Sequence, residues 1–312
     1  MRVVGAVLEE DGGVSAVVAD AEAGVLERRR EGPGAGGRPG GVERLAALTR
    51  GLAAACGAGA ACLALPGGPS DGEALELDGR LEGLELRMVE AREAVWAGAT
   101  GLLPGIVLES GLAVSAYGGR WSGRREGTRP WGRFLGGDGG LYDLGLSALR
   151  RVAAALEGAE GPTMLVEKVL SVLPDPTARG LEAELEAGLA APERAARLAS
   201  IVVDTALEGD AAARELLDRA ADRQARVARA VLLRTGMGYA RPLVVPRGAL
   251  SEGTGLFAHF LRRAVRDLLP GALLATARFE PAVGAALLLL GLEAEEPQRM
   301  LQRPAWRALE LS

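Results

Sequence analysis

The chain has 312 residues, a net charge of -5 and a pI near 5.3, and 48% of its residues are hydrophobic. This length suits two domains rather than one small core. The acidic balance argues against nucleic acid or an anionic membrane surface as a partner. The most apolar stretch, Val283–Leu292, is far shorter than the roughly 20 residues that span a bilayer, and no secretory leader pattern is visible. We therefore expect a cytoplasmic protein.

Three residue types are scarce. Cys56 and Cys62 are too few for a disulfide framework, and their Ala/Gly-rich surroundings favour small buried residues over metal ligands, so no metal site is predicted from them. Asparagine is absent, and Lys168 is the only lysine. Loss of thermolabile asparagine is typical of a thermophile, although GC-rich codon usage would produce the same pattern.

The first hundred residues predict an α/β unit that begins with three short strands joined by tight turns. A Gly/Pro-rich loop, Gly32–Gly41, separates these strands from a segment with helical leucine spacing. Further apolar runs alternate with polar segments up to about residue 98. The predicted elements are the strands Arg2–Glu9, Val14–Ala19 and Gly24–Arg30, the helix Val42–Ala55, the strand Ala61–Leu65, one or two strands within Leu75–Glu90, and the helix Arg92–Gly98.

The second part of the chain predicts three strands, a series of helices and a final alternation of strands and helices. The strands are Gly105–Glu109, Leu112–Tyr117 and Trp121–Arg125; the helices are Leu141–Glu157, Thr163–Leu173, Thr177–Ala190, Pro192–Glu208 and Asp210–Thr235; the strand Arg241–Pro246, the helix Gly255–Leu269, the strand Ala272–Thr276 and the helix Pro281–Leu292 follow.

A glycine-rich turn, Gly136–Gly140, opens directly into the helix predicted at Leu141–Glu157. Free backbone N–H groups and the helix dipole converge at a helix N-terminus, and phosphate groups bind there readily. The turn therefore predicts a site for a phosphate or a sugar.

This region resembles the core of the N-acetylglucosamine kinase and BadF/BadG/BcrA/BcrD ATPase family. In that family a strand pair carrying GTGS precedes the pattern GWG-x-x-LGDEGSGYW-x-G. The segment Glu280–Leu288 also resembles the last family helix, PxxGAALLA. The residues that fall on the glycine pattern are Trp131-Gly132, Leu135-Gly136, Gly139, Tyr142 and Gly145.

The family belongs to the actin, sugar kinase and heat-shock chaperone superfamily, so the resemblance implies two ribonuclease-H-like α/β domains flanking a cleft. It implies an N-terminal domain at 1–103 and a C-terminal domain at 104–312. A helical insertion would cover about residues 150–235, and the last helix, 281–292, would pack back on the N-terminal domain. It further implies ATP and Mg²⁺ as cofactors, an amino sugar as the small-molecule ligand, and a homodimer.

The first hairpin, which cradles the nucleotide phosphates in the family, is acidic in this chain. Anchored on the strand that ends at Asp20, the alignment puts Leu8 at the family's metal-organising aspartate, and Gly12 and Gly13 replace its Thr-Lys pair. Glu9, Glu10 and Asp11 take the place of glycines, where each would repel a triphosphate by about 1 kcal/mol or more. Gly12 and Gly13 stay weak nucleotide-site candidates; the alternative is a tight β-hairpin with a solvated tip.

The family's general base aligns with Ala91, whose methyl group cannot accept a proton. Glu90 and Glu93 are the available substitutes. Their alternative role is that of acidic residues near a helix start, where they favour the helix dipole.

The other two nucleotide loops keep only part of the family pattern. Ser110 and Gly111 remain of the second phosphate loop, but Leu112 and Ala113 replace its hydroxyl residues. Arg247 and Gly248 follow Pro246 where the family has a glycine pair, and proline removes an amide donor.

The glycine turn is the best-kept region and supplies the sugar-site candidates. Asp138 is its one candidate carboxylate, with two roles left open: ligand contact or N-cap of the following helix. The candidate residues are Trp131, Gly136, Gly137, Asp138 and Gly139.

Two functional classes follow. The losses at five separate places favour a degenerate, non-catalytic relative that binds a sugar or metabolite or serves a regulatory role. The alternative is an active ATP-dependent amino-sugar kinase with atypical site residues. A scaffold that works through an oligomer surface is not separated from the first class.

Overall fold

The residues that the structure describes form two mixed five-stranded sheets with flanking helices. The structure is a computed structural model and describes residues 1–129, 131, 136–238, 241–248, 250, 255–293 and 296–309. The strands are β1 (Arg2–Leu8), β2 (Val14–Asp20), β3 (Gly24–Glu31), β4 (Ala60–Leu65), β5 (Glu85–Glu90), β6 (Gly105–Ser110), β7 (Val114–Gly119), β8 (Arg125–Gly127), β9 (Leu243–Arg247) and β10 (Leu273–Leu274).

The helices surround these sheets and carry most of the second half of the chain. They are α1 (Gly37–Cys56), α2 (Asp71–Arg80), α3 (Ala91–Thr100), α4 (Leu141–Leu156), α5 (Leu165–Ser171), α6 (Ala178–Glu186), α7 (Pro192–Leu207), α8 (Ala211–Arg234), α9 (Leu256–Leu268), α10 (Pro281–Glu293), α11 (Pro297–Leu301) and α12 (Pro304–Arg307).

The first sheet has the order β3-β2-β1-β4-β5, and the second has the order β10-β9-β6-β7-β8. In the first sheet β1 pairs antiparallel with β2 and parallel with β4, and β4 pairs parallel with β5. The central strands β1 and β4 are buried along almost their whole length, because helices cover both faces of a sheet with parallel crossovers. The two mixed sheets confirm the predicted fold class, two ribonuclease-H-like α/β domains.

The chain divides into two compact units. The first contains Met1–Val107, Tyr117–Arg125 and Ala275–Ser312, and the second contains Leu108–Ala116 and Glu126–Leu274. The domain boundary near residue 103 and the extent of the helical insertion stay predictions.

Helix α10 packs within the first unit through closely apposed glycines. A Cβ added at Gly284 would lie 1.9 Å from the Ala94 carbonyl oxygen and 2.4 Å from the Gly98 nitrogen. A Cβ at Gly5 of β1 would lie 2.2 Å from the Ala282 carbonyl oxygen. The GAA pattern near the end of the sequence thus serves backbone-to-backbone packing against α3 and β1.

Two elements of the N-terminal region differ from the prediction. Helix α1 begins at Gly37, inside the predicted Gly32–Gly41 loop, because Gly36 adopts the left-handed conformation (φ 95°) as N-cap and Pro39 is tolerated in a first helical turn. Helix α2 occupies part of the segment predicted as strands. Ser70 and Glu73 form a reciprocal capping box that starts this helix, and the S-x-x-E signal was present in the sequence.

The strand prediction at Trp121–Arg125 is also wrong, because the strand lies further along the chain. Gly123 N–H donates to the Arg120 carbonyl oxygen at 3.2 Å, so this segment turns, and β8 follows at Arg125–Gly127. Strand β7 starts at Val114 rather than Leu112, because Gly111 N–H donates to the Ala113 carbonyl oxygen in a tight turn. In the part of the chain described here, no helix combines the length and apolarity needed to cross a membrane.

Candidate functional site

The β1–β2 hairpin tip uses most of its own backbone donors. Glu9 N–H donates to the Gly13 carbonyl oxygen at 2.8 Å, and Gly12 N–H donates to the Glu9 carbonyl oxygen at 3.0 Å. Gly13 N–H donates to the Asp11 carboxylate at 2.8 Å. Gly12 and Gly13 therefore form a self-satisfied turn, and their amides do not point together at an outside anion.

The side chains of this hairpin carry negative charge toward a small cavity. The cavity has a volume of about 200 Å³, which lies below the roughly 300–1,000 Å³ of usual small-molecule sites. Glu9 forms an ion pair with Arg30 at 2.9 Å, and Arg44 donates to the Gly12 carbonyl oxygen at 2.6 Å. The cavity is lined by Leu8, Glu9, Glu10, Asp11, Gly12, Gly37, Arg38 and Pro66.

Arg38, the one guanidinium lining this cavity, makes four hydrogen bonds to the chain itself. Its nitrogens donate to the Pro66 carbonyl oxygen at 2.5 Å, to the Gly68 carbonyl oxygen at 2.7 Å, and to both oxygens of Glu73 at 2.6 and 3.1 Å. The hydrogen bond from Arg38 lowers the pKa of Glu73 from 4.5 to about 2. Arg38 thus ties the start of α1 to the turn after β4 and to the α2 cap.

The low pKa of Glu73 predicts an acid-sensitive contribution to stability. Because the pKa in the folded protein lies below its ordinary value, the stabilisation is present above pH 4.5 and is lost as the pH falls toward 2. We expect Glu73→Gln to lower the melting temperature at pH 7, and the difference from the unsubstituted protein to shrink below pH 4.5. Melting curves between pH 7 and pH 3 measure this, with Glu82→Gln, an exposed position, as the control. A difference that does not change with pH would contradict the assignment.

The position of the family's general base, Ala91, is the first residue of α3 and is half-buried. Glu90 is the N-cap residue but makes no side-chain capping bond; its carboxylate pairs with Arg92 at 2.6 Å. Glu93 pairs with Arg125 at 3.3 Å. Both substitute carboxylates are therefore held in ion pairs with arginine, and each would have to leave its partner before it could accept a substrate proton.

In the second unit, the hairpin after β6 and the glycine turn before α4 are bonded to each other. Leu141 N–H donates to the Gly111 carbonyl oxygen at 2.9 Å, and Tyr142 N–H donates to the Leu112 carbonyl oxygen at 3.1 Å. Val114 N–H donates to the Gly137 carbonyl oxygen at 2.9 Å. The expected convergence of free N–H groups is thus wrong for Leu141 and Tyr142: the chain's own carbonyls occupy these donors of the α4 N-terminus.

Gly139 is held by side chains of two helices, α4 and α8. Its N–H donates to the Asp143 carboxylate at 2.9 Å, and Asp143 also pairs with Arg223. Its carbonyl oxygen accepts from Gln224 Nε2 at 2.8 Å, and the same nitrogen donates to Ser110 Oγ at 2.9 Å. Ser110 is 1% exposed and Gln224 is fully buried. Ser110 is therefore a buried link between elements in this structure.

Asp138 does not cap α4. The N-cap is Gly140, and Asp138 is exposed two residues earlier. Asp143, in the first helical turn, supplies the carboxylate instead, so the capping alternative for Asp138 is wrong. Gly136 is half-buried, and a Cβ at Gly137 (φ 77°) would lie 2.5 Å from Ala113 Cβ.

Trp131 is 60% exposed, with the Arg129 guanidinium 6.0 Å from its ring centroid. The predicted motif residues Gly132 and Leu135 lie outside the described residues.

Arg247 ends β9, and Gly248 packs against β6, where an added Cβ would lie 2.3 Å from the Ser110 carbonyl oxygen. Gly248 therefore permits a close backbone approach in this unit.

The chain belongs to the BadF/BadG/BcrA/BcrD ATPase family, whose sequence model matches residues 88–288. It is 26% identical over 204 residues to N-acetyl-D-glucosamine kinase from Dictyostelium discoideum, and the match covers 64% of each chain. The chain thus spans less than two thirds of this relative's length.

Solved structures agree with the fold. A candidate N-acetylglucosamine kinase from Chromobacterium violaceum superposes with a TM-score of 0.60 at 19% identity, over 92% of this chain and 98% of that one. A ROK family transcriptional regulator, a homologue of the E. coli MLC protein, superposes with a TM-score of 0.56 at 14% identity, over 98% of this chain and 80% of that one. At these identities the likeness establishes the sugar-kinase fold alone.

An ATPase family implies ATP with Mg²⁺, and the β1–β2 tip fits the phosphates of the nucleotide poorly. The β1–β2 tip presents Glu9, Glu10 and Asp11, and neither a lysine nor a hydroxyl side chain occurs between Leu8 and Gly13. Phosphate cradles need backbone donors, hydroxyls and positive charge. Within the described ranges, no three His, Cys, Asp or Glu side chains are grouped so that they could hold a metal ion.

Sequence reasoning missed three residues that organise these regions: Arg38, Gln224 and Arg125. Gln224 had a detectable signal, since it is a polar residue on the apolar side of the long α8 helix, in line with Ala220, Ala228 and Val231. Arg38 had none, because its partners Pro66, Gly68 and Glu73 are distant in sequence, and the same holds for the pairing of Arg125 with Glu93.

Proposed function

We propose that this protein is a non-catalytic member of its family that binds a small molecule and does not transfer phosphate. The observation that carries the proposal is the β1–β2 tip, where carboxylates surround a turn whose Gly12 and Gly13 amides are bonded internally. A triphosphate placed there would meet repulsion and few donors. The missing base at Ala91 supports the same reading independently.

The fold is compatible with a non-catalytic role. A transcriptional regulator superposes on 98% of this chain, so the fold occurs outside the sugar kinases. A fold does not by itself define a function, and the site residues have to supply it.

The alternative is an active ATP-dependent amino-sugar kinase. The match to N-acetyl-D-glucosamine kinase at 26% identity favours this second function. In that case Glu90 or Glu93 would leave its arginine partner and serve as the base, and the β1–β2 tip would rearrange around Mg-ATP.

We expect no rise in melting temperature with millimolar Mg-ATP and no ADP release with N-acetylglucosamine. A ligand that binds the folded state at a hundred times its Kd would stabilise it by about 2.7 kcal/mol, which a melting curve detects easily. A clear shift together with sugar-dependent ADP release would overturn the proposal.

Ala91→Asp makes this test sharper, because it returns a carboxylate to the family's base position. We expect this variant to stay inactive, since the β1–β2 tip is unchanged. ADP release by the variant but not by the unsubstituted protein would mean that nucleotide binds after all. Repulsion at the β1–β2 tip would then not prevent nucleotide binding, and the loss of activity would rest on Ala91 alone.

A further inference from the structure

Two guanidinium groups meet at one phenol beside the Ala91 position, within the first unit. The Arg92 guanidinium carbon lies 5.0 Å from the centroid of the Tyr117 ring. The Arg125 guanidinium lies near the side chain of the same tyrosine and interacts with it electrostatically. Burial and the nearby Glu93 carboxylate raise the pKa of Tyr117, so the phenol stays protonated and can also donate.

The Arg125 guanidinium lies against two indole rings. Its guanidinium carbon lies 5.2 Å from the Trp96 ring centroid and 5.7 Å from that of Trp121, and its side chain is only 18% exposed. Trp96 is fully buried and is anchored by a 3.0 Å hydrogen bond from Nε1 to the Gly105 carbonyl oxygen. Contact with the two rings restricts the orientation of the guanidinium, whose N–H donors form its polar binding surface.

The bonds that this edge makes are long. Arg125 donates to Glu93 and to the Trp121 carbonyl oxygen at 3.3 Å each, whereas charge-assisted bonds are usually about 2.7–2.9 Å. A half-buried arginine with long bonds gains from a closer acceptor that takes the place of Glu93.

The nearby carboxylates balance the charge of the two arginines, but they compete only weakly with an incoming anion for the arginine N–H donors. The Glu90 and Arg92 side chains are 31% and 43% exposed, and ion pairs at exposed positions are weak. An incoming anion can therefore replace Glu90 on Arg92 at low cost. A neutral sugar hydroxyl gains less here, because a hydrogen bond from a charged guanidinium to an anion is stronger than one to a neutral oxygen.

We infer that Arg92, Tyr117 and Arg125 form a binding site for the phosphate or carboxylate group of a small molecule. The ligand of this protein is then an acidic or phosphorylated sugar rather than the neutral sugar that a kinase phosphorylates. That the ligand is a sugar rests on the proposed function. That the three residues bind an anion rests only on their own contacts.

Calorimetric titration at low ionic strength tests the inference with N-acetylglucosamine 6-phosphate, glucuronate, inorganic phosphate and N-acetylglucosamine as probes. We expect at least one of the three anions to bind on the order of tenfold more tightly than N-acetylglucosamine. Tighter binding of the phosphorylated probes would assign a phosphate group, and tighter binding of glucuronate a carboxylate. Equal affinities, or preference for the neutral sugar, would overturn the inference.

Single substitutions test whether Arg92 and Arg125 bind the anion. We expect Arg92→Gln, at an exposed side chain, to weaken the anion on the order of tenfold, and Arg125→Lys to weaken it although the charge is kept. Arg50→Gln, at an exposed position of α1, is the matched control for loss of one positive charge. An Arg92→Gln affinity equal to that of the control would sink the proposal. ADP release is measured separately, so failure of the non-catalytic assignment is distinguishable from failure of the anion site.

Discussion

Gly284→Ala is expected to lower the free energy of unfolding by about 3 kcal/mol, at the upper end of the usual cost of overpacking. The added methyl carbon would lie 1.9 Å from the Ala94 carbonyl oxygen and 2.4 Å from the Gly98 nitrogen. Both neighbours are backbone atoms of α3, so no side-chain rotation can relieve the clash. Helix α10 would have to move away from α3 and β1 as a whole.

Urea unfolding followed by circular dichroism measures this change. The matched control is Gly51→Ala, since Gly51 lies inside α1 and a Cβ there would meet nothing within 4 Å. An exposed helical glycine replaced by alanine should stabilise the protein by about 0.4–1 kcal/mol. The two substitutions are identical chemically, and the prediction is that they have opposite signs. Similar effects at both positions would contradict the close packing of α10.

Gln224→Ala is expected to cost about 2–4 kcal/mol and to loosen the β6–β7 hairpin and the glycine turn together. The buried amide of Gln224 donates to Ser110 Oγ and to the Gly139 carbonyl oxygen, so its removal leaves both acceptors without that donor inside the second unit. A cavity in a fully buried position adds to the cost.

Hydrogen exchange separates this local effect from a general loss of stability. We expect the amides of Val114, Leu141 and Tyr142 to exchange faster in Gln224→Ala than in Gln302→Ala, which removes an exposed glutamine. Gln224→Met keeps most of the volume but not the donors, and it should show the same faster exchange with a smaller loss of stability. Unchanged protection in both Gln224 variants would mean that Gln224 does not hold the turn.

Much of the fold was readable from local patterns. Alternating apolar runs between glycine turns located β1, β2 and β3, and helical periodicity located α4, α7 and α8 within one or two residues. The errors fell where a short-range signal was overlooked, as with the Ser70–Glu73 capping box, or where a glycine conformation started a helix early, as at Gly36.

The candidate site was less readable, because its outcome depends on which donors are already taken. The sequence indicates a glycine turn before a helix, but not that the carbonyls of Gly111 and Leu112 occupy the donors of Leu141 and Tyr142. It indicates acidic residues near Ala91, but not that Arg92 and Arg125 hold them. These pairs are 30 or more residues apart in most cases, and no periodicity encodes them.

By itself the sequence determined the family, the two-sheet α/β fold and the absence of a carboxylate side chain at Ala91, because these depend on residue identity and local patterns. Only the tertiary structure decided that the donors of Gly12, Gly13, Leu141 and Tyr142 are satisfied internally, and that Arg92 and Arg125 meet at Tyr117. The physical reason is that a hydrogen-bond donor or a charge acquires its function from its partner, and the fold selects that partner.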